Sequence, residues 1–226
     1  MNNEKKRHVV PGETIVSGAD RAEQNTVMEG NKIIATTIGL SDIHDGSVRV
    51  IPLTGGYVPR DDDLVIGKIT SHSAMAWEVN INSCYSGMLP ATDVVGRDFS
   101  SHADVLSYKL GDGDLIAARI VNADKTRDPL LTISGRELGK IDSGELVNIS
   151  PSKVARLIGK RGSMIQMIES GSNAQITIGQ NGLIVVACDD SEGLLKAVKA
   201  IELVEEKAHV VNLTDQISEM LGLKSD

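Results

Sequence analysis

The residues best suited to chemistry lie in one stretch, Ile158-Gly159-Lys160-Arg161-Gly162-Ser163-Met164-Ile165-Gln166-Met167-Ile168. Two cations sit between two glycines, with apolar residues at Ile158, Ile165 and Ile168 marking a helical segment on either side. Gly159 lets the first helix end in a backbone conformation that a side chain would oppose. Gly162 lets an anion come close to the main chain. Ser163 opens the second helix, whose free N–H groups and dipole favour negative charge. Lys160 and Arg161 add cationic charge at the same spot, so the chemistry on offer is phosphate contact. A glycine pair alone can be plain helix punctuation, and the flanks decide between the two readings.

Glu145-Leu146-Val147-Asn148-Ile149 alternates apolar and polar residues and reads as a strand. Pro151 starts a helix through Lys153-Val154-Ala155-Arg156-Leu157-Ile158. Beyond the second helix, Ala174–Ile178 and Leu183–Ala187 are β-rich, and Gly179-Gln180-Asn181-Gly182 between them carries an Asn-Gly hairpin signal. Ser191 is expected to cap a long helix with Leu194, Val198, Ile201, Val204 and Ala208 on its inner face. The tail Leu213–Leu223 reads as a short helix capped by Thr214 or Asp215. The order strand–helix–helix–strand–strand–helix resembles a KH domain, in which a GxxG loop clamps about four nucleotides of a single strand. That resemblance nominates Lys153, Arg156, Gly159, Lys160, Arg161, Gly162 and Ser163 as RNA-binding residues. Four cationic contacts, from Lys153, Arg156, Lys160 and Arg161, imply a log–log salt slope of roughly −3.

Charge supports a focused site over a basic coat. The formal net charge is −8, yet Lys153–Gly162 holds four basic residues and no acid. Cys84 and Cys188 have neither disulfide-framework nor metal-ligand spacing and read as small buried apolar residues. The charged start (Glu4, Lys5, Lys6, Arg7) lacks a following apolar run, and no stretch is long enough to span a bilayer. A soluble, cytoplasmic protein without cofactor or membrane partner is expected.

A chain of 226 residues suggests two or three domains. The expected class is α+β and multidomain: a β-rich unit at 1–60, a five-stranded OB-fold barrel at 61–140 and the KH domain at 141–226. Barrel strands are expected at Leu64–Ile69, Trp77–Ile81, Met88–Leu89, Leu115–Val121 and Leu130–Ile133, with Gly67 and Gly111-Asp112-Gly113 at bends. Ligand loops would then be His72-Ser73-Ala74-Met75 and Asp124-Lys125-Thr126-Arg127-Asp128-Pro129. They nominate His72, Lys125 and Arg127 as RNA contacts; pairing of Lys125 and Arg127 with Asp124 and Asp128 is the competing reading. Aromatic residues make up only 2%, which limits base stacking, and Trp77 shares a strand face with Val79 and Ile81 as a core residue would. In the front unit, Val9–Glu13, Lys32–Thr37, Gly46–Leu53 and Tyr57 suggest short strands around a small core that packs on the barrel or docks on a partner.

The β-rich head, OB barrel and single KH domain together resemble the RNA-binding cap subunit of the archaeal exosome, the type with an S-one-like OB domain. The residues that carry this are Val9-Val10-Pro11-Gly12, Val50–Gly55, Asp63–Gly67, Leu138–Ile141, Pro151–Gln166, Gly179–Gly182 and Leu213-Thr214-Asp215. The resemblance implies three copies on a six-membered ring of RNase-PH-like subunits, guiding single-stranded RNA to phosphorolytic sites for 3′-to-5′ degradation. It departs from the family at Asn25-Thr26-Val27, where an aromatic commonly follows Gly-Thr, and at the less acidic Asn80-Ile81-Asn82-Ser83-Cys84. Lys160 and Arg161 could alternatively meet an acidic patch on the ring.

An enzyme is disfavoured. Gly159–Ser163 is not a GxxxxGK[ST] loop, and His8, His44, His72, His102 and His209 are scattered. Asp61-Asp62-Asp63 reads as a solvated turn, since three consecutive extended residues cannot all face one metal. The alternative function is an OB–KH transcription or translation factor, although elongation factors of that type carry two KH modules and this chain has room for one.

Overall fold

The computed structural model describes residues 7–18, 21–96, 109–124, 126–208, 210 and 212–223. The chain divides into two compact units, Met1–Gly55 and Gly56–Asp226.

The first unit is built of short strands because Gly, Pro and Asn interrupt it every few residues. Strands β1 (His8–Val9), β6 (Gly39–His44), β7 (Ser47–Pro52) and β3 (Arg21–Ala22) form one sheet. A second contains β2 (Thr14–Ser17), β5 (Lys32–Ala35) and β4 (Thr26–Glu29). Val9, Ala35 and Val50 make its small core, with Ile15 packed against them. Gly46 belongs to a turn and not to a strand: Asp45 and Gly46 both have positive φ (48° and 73°), the conformation that joins β6 to β7 tightly. Strand β6 escapes the sequence reading because Ser41, Asp42 and His44 break its apolar pattern; Ser41 is nevertheless buried and bonds the Arg7 main chain.

The second unit begins with an OB-like barrel. Its strands are β8 (Leu64–His72), β9 (Ala76–Asn80), β10 (Ser86–Pro90), β11 (Leu115–Asn122) and β12 (Leu130–Thr132). The ring closes because β12 pairs in parallel with β10 and antiparallel with β11. A short helix α1 (Ala91–Val95) follows β10, and β13 (Gly139–Ile141) adds to the edge of β11. Inward positions alternate as the pleat requires: Val65, Ile69, Trp77, Val79, Ile116, Ala118, Ile120 and Leu131 fill the interior. Trp77 is fully buried and donates its indole N–H to the Leu110 carbonyl at 2.9 Å. Gly67 serves packing more than bending, because a β-carbon there would collide with Val79.

The remainder folds as strand β14 (Glu145–Asn148), a 3₁₀ turn (Pro151–Lys153), helices α2 (Val154–Ile158) and α3 (Ser163–Ser172), strands β15 (Gln175–Ile178) and β16 (Leu183–Ala187), and helices α4 (Ser191–Lys207) and α5 (Leu213–Met220). The antiparallel sheet runs β14-β16-β15. Three local expectations are corrected. Asp190, and not Ser191, caps α4 by accepting the Gly193 N–H at 3.1 Å. The inner face of α4 is Gly193, Ala197, Ala200, Ile201 and Val204; Val198 and Leu194 are only half-buried, since small residues admit the close approach of neighbouring elements. Asn212, with positive φ, precedes α5 in place of a Thr214 or Asp215 cap.

Barrel and C-terminal domain are joined by hydrogen bonds at one turn. Strand β9 pairs with β8 only from Lys68 onward, so Leu64–Gly67 would present unpaired groups on that side. The β15–β16 turn occupies the gap. Gln180 N–H donates to the Leu64 carbonyl at 2.7 Å. The buried Asn181 carboxamide accepts from Ile66 N–H at 3.3 Å and donates to the carbonyls of Ile66 (2.7 Å) and Ile81 (2.9 Å). Asn82 donates back to the Asn181 carbonyl at 2.9 Å. A carboxamide carries both donor and acceptor, so it completes a strand edge as a neighbouring peptide would.

Candidate nucleic-acid interface

Helix α2 has five residues, too few to be stable alone, and is held by the buried Val154 and Leu157. It stops at Gly159, whose φ of 73° and ψ of 179° no side chain tolerates easily. A β-carbon there would also lie 2.7 Å from Met164 Cβ and 2.8 Å from its amide nitrogen. Lys160–Gly162 form a tight turn in which Arg161 adopts the left-handed conformation (φ 56°, ψ 30°). Such strain in a non-glycine residue clusters at ligand-binding turns. Gly162, at φ 81°, takes the capping place before α3, and Ser163 is already helical; no side chain caps this end. The first-turn N–H groups of α3 therefore face the turn without a side-chain acceptor. A β-carbon at Gly162 would meet Gln166 Nε2 at 3.7 Å and Ile165 Cγ2 at 3.9 Å, ordinary contacts that leave this position uncrowded.

Arg156, Lys160 and Arg161 are exposed and form no ion pair among the described residues. The fold thus brings three of the four nominated cations, both glycines and Ser163 to one end of the domain. Gln166, missed by the sequence reading, stands one turn further along α3 with its amide nitrogen nearest the Gly162 site.

Lys153 is differently placed. Its ammonium donates to Glu205 Oε1 at 2.8 Å and to the Glu205 main-chain carbonyl at 2.7 Å, with the side chains 22% and 30% exposed. Glu205 also accepts Ser150 N–H (3.1 Å) and Ser150 O–H (2.7 Å). Partial burial alone would raise the Glu205 pKa, but the hydrogen bonds from Lys153 and Ser150 outweigh it and hold the carboxyl below its ordinary value. No sequence signal ties residue 153 to 205, because the pairing spans 52 residues.

The barrel nominees lie on separate loops. His72 ends β8, with Nδ1 3.6 Å from Asp112 Oδ1. Arg127 is exposed in a turn where its N–H and that of Thr126 bond Asp124; its guanidinium forms no ion pair among the described residues. Lys125 lies outside the described residues, as do His102 and His209. The three aspartates of the turn before β8 go to three partners. Asp61 accepts Ala123 N–H, Asp62 pairs with Arg119 and Asp63 accepts the Tyr57 hydroxyl at 2.6 Å. Burial, then that hydrogen bond and charge, push the Tyr57 phenol well above its usual range.

Comparisons with known proteins agree with this architecture. Residues 144–203 match the KH domain model, and residues 6–54 match the exosome RNA binding protein RRP4 N-terminal domain model. The exosome complex component Rrp4 of Nitrosopumilus maritimus is 65% identical over 99% of both chains. That of Saccharolobus solfataricus is 35% identical over 96% of this chain and 88% of its own. A crystal structure described as an exosome complex RNA-binding protein superposes with a TM-score of 0.70 at 40% identity, covering 74% of this chain and 96% of that one. Likeness along the whole length, with both terminal domains matched, places the chain in the Rrp4 family of exosome complex components.

Proposed function

We infer that this protein is a non-catalytic RNA-binding subunit of an exosome. It captures single-stranded RNA at the Gly159–Gly162 turn and passes it to a phosphorolytic ring for 3′-to-5′ degradation. The observation that carries the reading is an open, strained GxxG turn with Arg156, Lys160 and Arg161 exposed around it, in a chain that belongs to the Rrp4 family. Phosphates would be met by these three cations and by the uncapped amides of α3. Arg127, Lys125 and His72 of the barrel form a second, weaker set of contacts in this reading.

Three copies would sit on a hexameric ring of RNase-PH-like subunits in the cytoplasm, with the head as the docking unit at 1–60, the barrel at 61–140 and the KH domain at 141–226. Linked sites would raise avidity by roughly 10²–10⁴ over a single site. Among the described residues no helix is long and apolar enough to cross a membrane. The test replaces Lys160 and Arg161 by Asp while both glycines stay. Loss of RNA binding with assembly intact supports the clamp, whereas loss of assembly assigns the turn to ring docking. Phosphate-dependent release of nucleotide by the pure chain would overturn the non-catalytic role.

A further inference from the structure

We propose that Lys153, Glu205 and Ser150 form a latch that positions the Gly159–Gly162 turn, and that Lys153 acts through this latch and not on RNA phosphate. This rests on the RNA-binding reading above. The latch is a reciprocal cap between two helices. Lys153 donates to the carbonyl of Glu205, which lies in the last turn of α4 where carbonyls lack helical partners. Glu205 in return accepts the N–H of Ser150, the residue that opens the 3₁₀ turn before α2. The Ser150 hydroxyl and the Lys153 ammonium both meet Glu205 Oε1, so all three residues are held at one point.

The position gives the latch its consequence. Helix α2 is too short to fix its own direction, and its far end is the GxxG turn. At that far end Gly159 packs against Met164; at the near end the latch ties the chain to α4. Between these two points Val154 and Leu157 are buried and set which face of α2 turns inward, while the latch holds the near end of the helix to α4. A lysine already bound by a carboxylate and a carbonyl adds little net charge for a phosphate to find. Its double bond to the end of α4 instead sets where Arg156, Lys160 and Arg161 stand. Lys153 and Glu205 are thus positioning residues.

The sign of the Glu205 effect separates positioning from contact. The full chain is compared with Lys153→Met, Glu205→Gln, the double variant, Ser150→Ala and Lys153→Arg, with a labelled single-stranded oligoadenylate as probe. The expected result is a loss of affinity of roughly five- to tenfold for Lys153→Met and for Glu205→Gln, with no further loss in the double variant. The salt slope stays unchanged, and Lys153→Arg restores most of the affinity. Tighter binding by Glu205→Gln, or a slope smaller by roughly 0.7 in Lys153→Met, would overturn the proposal, because either makes Lys153 a phosphate contact. Hydrogen exchange of the Gly159–Met164 amides gives a readout without RNA: the latch variants should exchange faster there while the β16 amides stay protected. Unchanged exchange would also sink the latch. Should Lys160 and Arg161 prove irrelevant to RNA, the RNA-binding reading fails while the exchange measurement still decides the latch. Ser150→Ala, which removes one bond and keeps the ion pair, serves if Lys153→Met does not fold.

Discussion

At the residue scale the two glycines of the turn are not equivalent. Gly159 has positive φ and would press a β-carbon into Met164, whereas Gly162 has positive φ but would make only ordinary contacts, the nearest at 3.7 Å. Gly159→Ala should therefore cost about 2–3 kcal/mol of unfolding free energy and Gly162→Ala about 1 kcal/mol, as read from denaturant midpoints. Equal costs would contradict the packing difference. The cations give a second expectation. With Lys153 held by Glu205, three free charges remain, so the salt slope for one site should be about −2 and not the −3 implied by four. Arg161→Gln should lower its magnitude by about 0.7, measured by anisotropy across a salt series.

At the element scale the informative feature is the β15–β16 turn. In sequence it reads as a plain Asn-Gly hairpin, yet Asn181 keeps ordinary φ and only Gly182 (φ 81°) is left-handed. The side chain is spent on β8 and on Ile81 just beyond β9, where it satisfies two carbonyls and one amide. Asn181→Ala would leave those groups buried without partners, at a cost of about 2–4 kcal/mol. Asn181→Asp should be worse, because a carboxylate would face the Ile66 and Ile81 carbonyls. Barrel and KH domain unfolding together in one transition in the parent, and in separate transitions in Asn181→Asp, are the expected outcome. A single transition retained in both would show that the turn does not couple the domains.

For the whole molecule, acid stability follows from groups held below their ordinary pKa. Glu205 is lowered by Lys153 and Ser150 against its burial; Asp114 is lowered by Lys140 first and by the Gly111 amide. A depressed folded-state value means that stabilisation is present above the unfolded pKa of about 4 and is lost as pH falls through the folded value. Stability should thus be flat from neutral pH to about 5 and decline below about 4, with Glu205→Gln showing a shallower decline. Thermal midpoints against pH would check this; an identical acid limb in the variant would remove Glu205 from the account.

Much of the design is local and therefore legible in the chain. Barrel strands β8, β9 and β11 follow from short apolar runs rich in strand-forming residues, and the GxxG turn follows from its glycines and helical flanks. Strand β6 is hidden by its polar residues, and the α4 cap by a choice between adjacent Asp190 and Ser191 that only backbone geometry makes. The sequence by itself determined the fold class, the element order of the KH domain and the glycines and cations of the Gly159–Gly162 turn, because periodicity and turn chemistry act over a few residues. Only the tertiary structure decided that Lys153 belongs to Glu205 and that Asn181 completes the barrel. Those hydrogen bonds join groups 52, 100 and 115 residues apart, and no local pattern encodes such distances.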